Sequence, residues 1–420
     1  MCNVFFKIFG ITNNRVPLGK ISLRLIRYSL KKDYLCQNFK QMKLVAKSFL
    51  GLENVLSGEL RNLGAENIKI ANRAVIFEGN THILYKVNYC ARTALSILMP
   101  IKEFKIRSKN DLYSTGKSIP WEKFMDYKST FSISSVVNSP LFNHSGYAGL
   151  ILKDSIADYF REKTGARPNV NTVNPDIVIN LHISAANVTV SLDSSGDPLF
   201  KRGYRQAFVE APLNESLAAG MVLMSGWDGS MPLIDPMCGS ATIPIEAAFI
   251  AKKIPAGKFR KSFGFQKWNN YDEQLFEQVK HDCDLGIVEL KTKISASDIS
   301  SEAVKNAMIN IRNAGLENDI AVKTVDFKDV TAFEKAGMAM LNPPYGLRLN
   351  PDDLDSLYEM IGSKQKHSFV GYTAWILSSN REALKKIGLK PSEKHILLNG
   401  ANECMFLKYD LYGGSRKKQQ

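Results

Sequence analysis

Apolar and polar positions in residues 42–84 follow two periods. Leu44, Val45 and Ala46 make a strand-like run, residues 52–63 carry a helical pattern ended by Gly64, and residues 74–77 return to a strand. Together they predict a small α+β unit. Residues 85–99 read as a helix running into a strand, followed by Lys102, Lys105, Arg107 and Lys109, and residues 121–124 open a further amphipathic piece. A long helix over 146–163 sets Leu152, Ile156, Tyr159 and Phe160 on one face, with Gly165 beyond its end. Two alternating strands follow, one on Ile177, Ile179, Leu181 and Ile183, the other on Val188, Val190 and Leu192. His182, between the inward positions of the first, reads as an exposed strand residue, because no ligand partner sits at metal spacing. Residues 194–198 form a turn. Lys201-Arg202-Gly203-Tyr204-Arg205 beyond it is a basic linker that either contacts phosphates or is simply solvated.

From Pro232 the pattern becomes β-turn-α-β-α-β. Residues 233–234 form a strand, 235–240 a loop and 242–253 a helix, with Pro244 in the first turn, where its missing N–H costs nothing. A loop glycine lets the backbone approach a ligand, and Asp235 at the strand end can pair with an ammonium. A second strand over 294–298 ends in Asp298, placed for ribose hydroxyls. The next helix shows Val304, Ala307, Met308 and Ile311 and stops at Gly315. A third strand over 322–325 ends in Asp326 and Phe327, one to accept from an adenine amino group and the other to pack on the ring.

The apolar run 337–341 reads as a fourth, buried strand, cut off by Pro343 and Pro344, which cannot donate to a sheet ladder. Asn342-Pro343-Pro344-Tyr345 then faces the crevice at the carboxyl ends of the strands. A nucleobase amino group is a poor nucleophile because its lone pair is delocalised into the ring. The Asn342 side-chain carbonyl and the Pro343 backbone carbonyl can accept its two N–H bonds and localise that pair, while Tyr345 stacks an extruded base.

A length of 420 residues predicts two or three domains, and a net charge of +14 favours a polyanionic partner, nucleic acid first. Six cysteines without a C-x-x-C pair and six histidines without a metal-spaced cluster predict reduced thiols, a cytoplasmic protein and no metal. No apolar stretch approaches the roughly 18 residues of a membrane span. Residues 1–41 hold eight lysines and arginines against Asp33 alone. They read as an upstream extension or mis-assigned start before Met42, in preference to an organelle transit peptide. Lys252, Lys253, Lys258, Arg260, Lys261 and Lys267 interleave with Phe259, Phe263, Phe265 and Trp268, which suits a nucleic-acid strand or, for the aromatics, a structural role.

These residues resemble the THUMP-domain RNA methyltransferases that use S-adenosylmethionine, specifically the bacterial large-subunit (23S) rRNA guanine-N2 methyltransferases. The matching stretches are residues 201–205, 211–218, 235–240, Ser297-Asp298, 342–346, Asn399-Gly400 and Glu403-Cys404. The resemblance implies an α/β protein: a ferredoxin-like piece (42–84), a THUMP domain that grips RNA (85–196) and a Rossmann-like, seven-stranded class I methyltransferase domain (197–412), between the basic extension 1–41 and a basic tail 413–420. It implies S-adenosylmethionine contacts from Asp235, Cys238, Gly239, Ser240, Asp298, Ile299, Asp326, Phe327 and Asn342, with Leu213 and Asn214 at the border of the pocket. Asn342, Pro343, Pro344 and Tyr345 would hold the target amine. Lys201, Arg202, Arg205, Lys258, Arg260 and Lys261 would meet RNA, either 23S rRNA or a ribosome assembly intermediate, and the protein would act as a monomer without metal or membrane.

Two departures stand out. Gly239-Ser240-Ala241-Thr242 replaces the family's G-S-G-T, so alanine is strained if the position needs a positive φ, and Asn402-Glu403-Cys404 replaces Leu-Glu-Cys. The competing readings are an adenine-N6 DNA methyltransferase sharing Asn-Pro-Pro-Tyr and a non-catalytic RNA-binding THUMP protein.

Overall fold

The computed structural model describes residues 41–207, 212–344 and 351–413. The expectations for residues 1–40, for Tyr345 and for residues 414–420 lie outside the described residues. The first half is built from β1 (Met42–Ser48), α1 (Glu53–Asn62), β2 (Glu66–Ala71), β3 (Ala74–Gly79), α2 (Thr81–Cys90) and β4 (Ala94–Lys105). There follow α3 (Lys109–Lys117), a 3-10 turn (Trp121–Lys123), β5 (Thr130–Asn138), α4 (Ser145–Thr164), β6 (Asn169–Val170), β7 (Ile177–Ser184) and β8 (Asn187–Asp193). All eight strands join one sheet in the order β2-β3-β1-β4-β8-β7-β5-β6.

β4 makes that continuity. Its first residues pair with β1, and Leu98 through Lys105 pair with β8, the register shifting between Pro100 and Lys102, where proline cannot donate. Three expectations change here. The helix and strand read across 85–99 are α2 and β4, separated by residues 91–93, so the boundary at 84/85 falls inside a helix. Asn80 caps that helix by accepting from the Ile83 N–H. Lys102 and Lys105 lie on β4 itself rather than after it. His182 is exposed on its strand, as the alternation predicts.

The second half is wound on a seven-stranded sheet: α5 (Glu215–Ser225), β9 (Leu233–Asp235), α6 (Thr242–Ala251), α7 (Glu273–Asp284), β10 (Ile294–Asp298), α8 (Ser301–Asn313), β11 (Ile320–Thr324), β12 (Gly337–Leu341), α9 (Pro351–Ser368), β13 (Tyr372–Ser378), α10 (Arg381–Lys386), β14 (Glu393–Asn399) and β15 (Asn402–Asp410). The order is β11-β10-β9-β12-β13-β15-β14, with β9 to β13 parallel and β15 antiparallel to both of its neighbours. The strand order reverses beside β9, which opens a crevice at the carboxyl ends of β9 and β12. The third strand begins two residues earlier than expected. α8 buries Ala303, Val304, Ala307 and Ile311, but Met308 is half exposed, one position off that face.

The segment between α6 and β10 packs on α2 of the first half. Phe265 stacks on Tyr85 at 4.4 Å, Phe276 meets both, and Phe263, Phe265 and Trp268 are buried. Their role is therefore core packing, and their faces are not free for bases. Arg92 adds a second tie, its Nη2 donating to the carbonyls of Phe249 (3.1 Å) and Ile254 (2.7 Å). Cys90, Cys238, Cys283 and Cys404 are free thiols. Among the described residues no helix is long and apolar enough to cross a membrane, and no cluster of three or more His, Cys, Asp or Glu could hold a metal ion.

Candidate functional site

A cavity of about 460 Å³ opens at the carboxyl ends of β9, β10 and β12, ample for one small-molecule ligand. Leu213, Asp235, Cys238, Gly239, Ser240, Asp298, Asn342 and Pro344 line it, so eight of the expected site residues meet in one place. The loop 235–241 is held by hydrogen bonds to the end of β10 and within itself. Cys238 N–H donates to Ser297 O, Gly239 N–H to Asp298 Oδ2 (2.9 Å), and Met237 N–H to Asp235 Oδ1 (3.2 Å). Gly239 (φ +52°) and Ala241 (φ +64°) both take the left-handed region. The alanine that stands for glycine is therefore strained as expected, by a term on the order of 1 kcal/mol.

Asp235 is 1 % exposed, and its carboxyl is pushed well above the usual carboxylate range by burial, with the negative Asp298 nearby adding to the effect. Burial thus favours its neutral form, and a cation beside it would favour the charged one. Asp298 spends one lone pair on Gly239 N–H and one on Ser300 N–H (2.9 Å), which fixes its carboxylate at the cavity wall and leaves capacity for hydroxyl donors. Asn342 carries the most telling atom. Its Oδ1 is buried, lines the same cavity through its residue, and has no hydrogen-bond partner among the described residues. An orphaned buried acceptor costs roughly 1–3 kcal/mol and persists where something else supplies the donor. Pro343 is buried beside it.

Other expected contacts lie elsewhere. The Asn214 side chain caps α5, accepting from Ser216 and Leu217 N–H. Ile299 is 70 % exposed, outside the cavity wall. Asp326 caps a 3-10 turn (Phe327–Asp329) and pairs with Lys328 at 3.1 Å. Phe327 is buried against Phe369, so its ring is not free to pack on an adenine. Sequence reasoning missed Thr242, Glu302 and Asn306 in the wall. It also missed Asn310, fully buried on α8, which accepts from Gln206 and Ala207 N–H and donates to Ser240 O, tying the linker to the cofactor-side loop. No motif marks Glu302, Asn306 or Asn310, and Thr242, which closes the Gly239-Ser240-Ala241-Thr242 stretch, reads in sequence only as the start of a helix; each follows from the face a helix presents to the loop.

The basic residues separate by burial. Lys201, Arg202, Arg205, Arg260 and Lys261 line a second cavity of about 490 Å³ that shares Pro212 and Leu213 with the first. Arg202, 1 % exposed, pairs with Glu246 at 3.3 Å and donates to Leu199 O and Arg92 O, and Arg205 is similarly committed inside. Neither guanidinium reaches out to a phosphate. Arg260 donates to the carbonyls of Ser195, Asp197, Pro198 and Lys201, and Lys258 pairs with Asp284 at 2.6 Å. Lys201, paired with Asp197 in the i,i+4 sense, and Lys261 remain exposed.

The sequence matches the RMKL-like methyltransferase domain over residues 202–408, the THUMP domain over 107–193 and the RlmL ferredoxin-like domain over 43–98. It is 36 % identical over 364 residues to slr0064 of Synechocystis, a protein named as an RNA methyltransferase, covering 86 % of this chain and 95 % of that one. The chain belongs to the RMKL-like methyltransferase family. The same share of identity, 36 % over 383 residues, relates it to the ribosomal RNA large subunit methyltransferase K/L of Syntrophotalea carbinolica, over 88 % of this chain but 54 % of that protein. The chain thus spans about half the length of the K/L proteins that it matches. Among solved structures, SMU.472, described as a methyltransferase complexed with SAH, superposes with a TM-score of 0.80 at 30 % identity, over 90 % of this chain and all of that one. A Listeria monocytogenes protein described as an N6-adenine-specific DNA methylase gives the same TM-score at 27 % identity, over 90 % and 98 % of the two chains. The family's three-part α/β architecture is the one expected from the sequence.

Proposed function

We propose that this protein transfers a methyl group from S-adenosylmethionine to the exocyclic amino group of a nucleobase in RNA, the target being guanine N2 of 23S rRNA. The observation that carries this reading is the unpartnered, buried Oδ1 of Asn342 in a cavity that also holds the cation-seeking carboxyl of Asp235. S-Adenosylmethionine supplies an already activated methyl on a sulfonium. Asp235 would receive its cationic end, the left-handed Gly239 would let the backbone come close, and Asp298 would accept from ribose hydroxyls. The volume, the buried acid and the open acceptors all fit such a molecule.

Asn342 Oδ1 and the Pro343 carbonyl would accept the two N–H bonds of the amine, turning its lone pair toward the methyl. Alignment and that localisation are the chain's contribution to rate. Tyr345 would stack the extruded base. The ferredoxin-like and THUMP parts, divided after β4 rather than at 84/85, would grip the RNA, with Lys201 and Lys261 at the rim of the catalytic half. We place the protein in the cytoplasm as a monomer.

The DNA reading has the N6-adenine name of one structural relative behind it. The THUMP match over residues 107–193 favours RNA. Mass-spectrometric nucleoside mapping of ribosomal RNA and DNA, from cells with and without the gene, decides between them. Loss of an N2-methylguanosine from 23S rRNA is expected, and loss of N6-methyladenine from DNA would replace this reading by the other.

A further inference from the structure

Arg205 stands at the partition between the two cavities. Its side chain is 8 % exposed, and its Nη2 donates to Leu213 O and to Thr242 Oγ1, each at 2.8 Å. Nε lies 2.9 Å from Glu215 Oε1 as an ion pair, but off the line of its N–H bond. Leu213 precedes α5 and Thr242 opens α6, and both line the cavity at the strand ends. One guanidinium therefore joins two walls of that cavity from behind. The next residue but one, Ala207, is pinned with Gln206 by Asn310, which also holds Ser240 of the loop. The linker end carrying Arg205 is thus tied into the loop at a second point.

We propose that Arg205 is a positioning residue for the cofactor: it sets the distance between the Leu213 and Thr242 walls and is not a contact for RNA. The proposal rests on reading this cavity as the S-adenosylmethionine site. A guanidinium suits the task because its fixed planar fork serves neighbouring acceptors at once while remaining charged against Glu215. Lysine keeps the charge but not the fork. Thr242→Val removes the acceptor hydroxyl at nearly constant volume and leaves the buried Arg205–Glu215 pair in place, so it tests the same clasp even where an Arg205 variant does not fold.

The experiment is calorimetric titration of the full chain with SAH, alongside binding of a 23S rRNA transcript and methyl transfer at saturating cofactor. Arg205→Lys and Thr242→Val should each weaken SAH about tenfold, on the scale of a lost hydrogen bond. RNA affinity should stay within about twofold, the KM for S-adenosylmethionine should rise with kcat nearly kept, and the double variant should be no weaker than the weaker single one. Thr242→Ser, which restores the hydroxyl, should recover most of the loss. Unchanged SAH affinity in both single variants overturns the proposal, as do additive losses. So does an Arg205→Lys protein that binds SAH normally and RNA poorly, which makes Arg205 an RNA contact. Failure of the unsubstituted chain to bind SAH overturns the cofactor reading itself, and the clasp with it.

Discussion

The cavity at the strand ends and the cavity under the basic linker share Pro212 and Leu213, yet their polar groups differ in what they have left to offer. In the first, among the described residues, Asn342 Oδ1 has no partner and Asp235 receives a single backbone N–H while its charge is opposed by burial. In the second, Arg202, Arg205 and Arg260 between them donate to seven backbone carbonyls and one hydroxyl and pair with two buried glutamates. An acceptor left open toward a cavity marks a place for a ligand, and guanidinium groups mostly engaged by carbonyls mark architecture, with Arg205 Nε and Arg260 Nε the donors there that meet no acceptor among the described residues. In sequence the strand ends read as a ligand site and the basic linker as either a phosphate contact or a solvated segment, because charge and motif say nothing about what a side chain already holds.

The contrast breaks most visibly at Arg202. If it is architecture, Arg202→Met strands the fully buried Glu246 and lowers stability by about 3–5 kcal/mol in urea unfolding. Unchanged stability with weakened RNA binding would move Arg202 to the other class. Asn342→Ala tests the opposite side. Turnover should drop by about 10²-fold or more, the scale of removing a group aimed at the reacting centre, with SAH affinity nearly kept. Single-turnover transfer with cofactor pre-bound separates the two quantities, and near-normal transfer would empty the orphan acceptor of meaning.

Asp235 sharpens the comparison through pH. Burial raises its carboxyl pKa in the free chain, so its ionisation destabilises the fold progressively as pH rises from the ordinary carboxylate range toward that raised value. A bound cation reverses the penalty. Affinity for S-adenosylmethionine should therefore rise with pH until Asp235 is ionised in the free chain and then level off, with a proton released on binding below that point. Titrations in buffers of different ionisation enthalpy detect it, and Asp235→Asn should abolish the release and weaken binding by about 1–3 kcal/mol. A pH-independent affinity would remove Asp235 from the site. The smallest effect belongs to Ala241→Gly. Relief of the left-handed strain is opposed by the extra freedom of the unfolded glycine chain, so stability should change by no more than about 0.5 kcal/mol in thermal unfolding. A gain several times larger would mean that the loop stores far more strain than one φ angle implies.

Some elements were legible for simple reasons. β7 and β8 bury one apolar face against a mostly polar one that is exposed or partly so except at Asn180 and Ser191, α4 buries one face, and β12 is wholly buried and ends at prolines, so period and punctuation sufficed. β2 escaped notice because it is an edge strand whose residues are almost all exposed, leaving no alternation to read. Met308 misled because a methionine one position off the buried face of α8 fits a helical stripe as well as a buried one does. Phe327 follows a strand-end acid as an adenine-packing residue would, but Phe369 lies close enough to claim its ring.

The sequence alone determined which half carries the α/β crossovers, where the strands end, and that Asp235, Gly239, Asp298 and Asn342 lie at those ends, because periodicity, proline and glycine act locally along the chain. The left-handed demand on Ala241 could be posed from sequence and was answered by one backbone angle. Only the tertiary structure decided which polar groups remain available. Arg202 meets Glu246 on α6 and, across the junction of the two halves, the Arg92 carbonyl, and Arg205 meets Thr242 at the start of α6. These partners are brought together by packing rather than by spacing, and a buried charge must find a partner or a carbonyl whichever part of the chain supplies it.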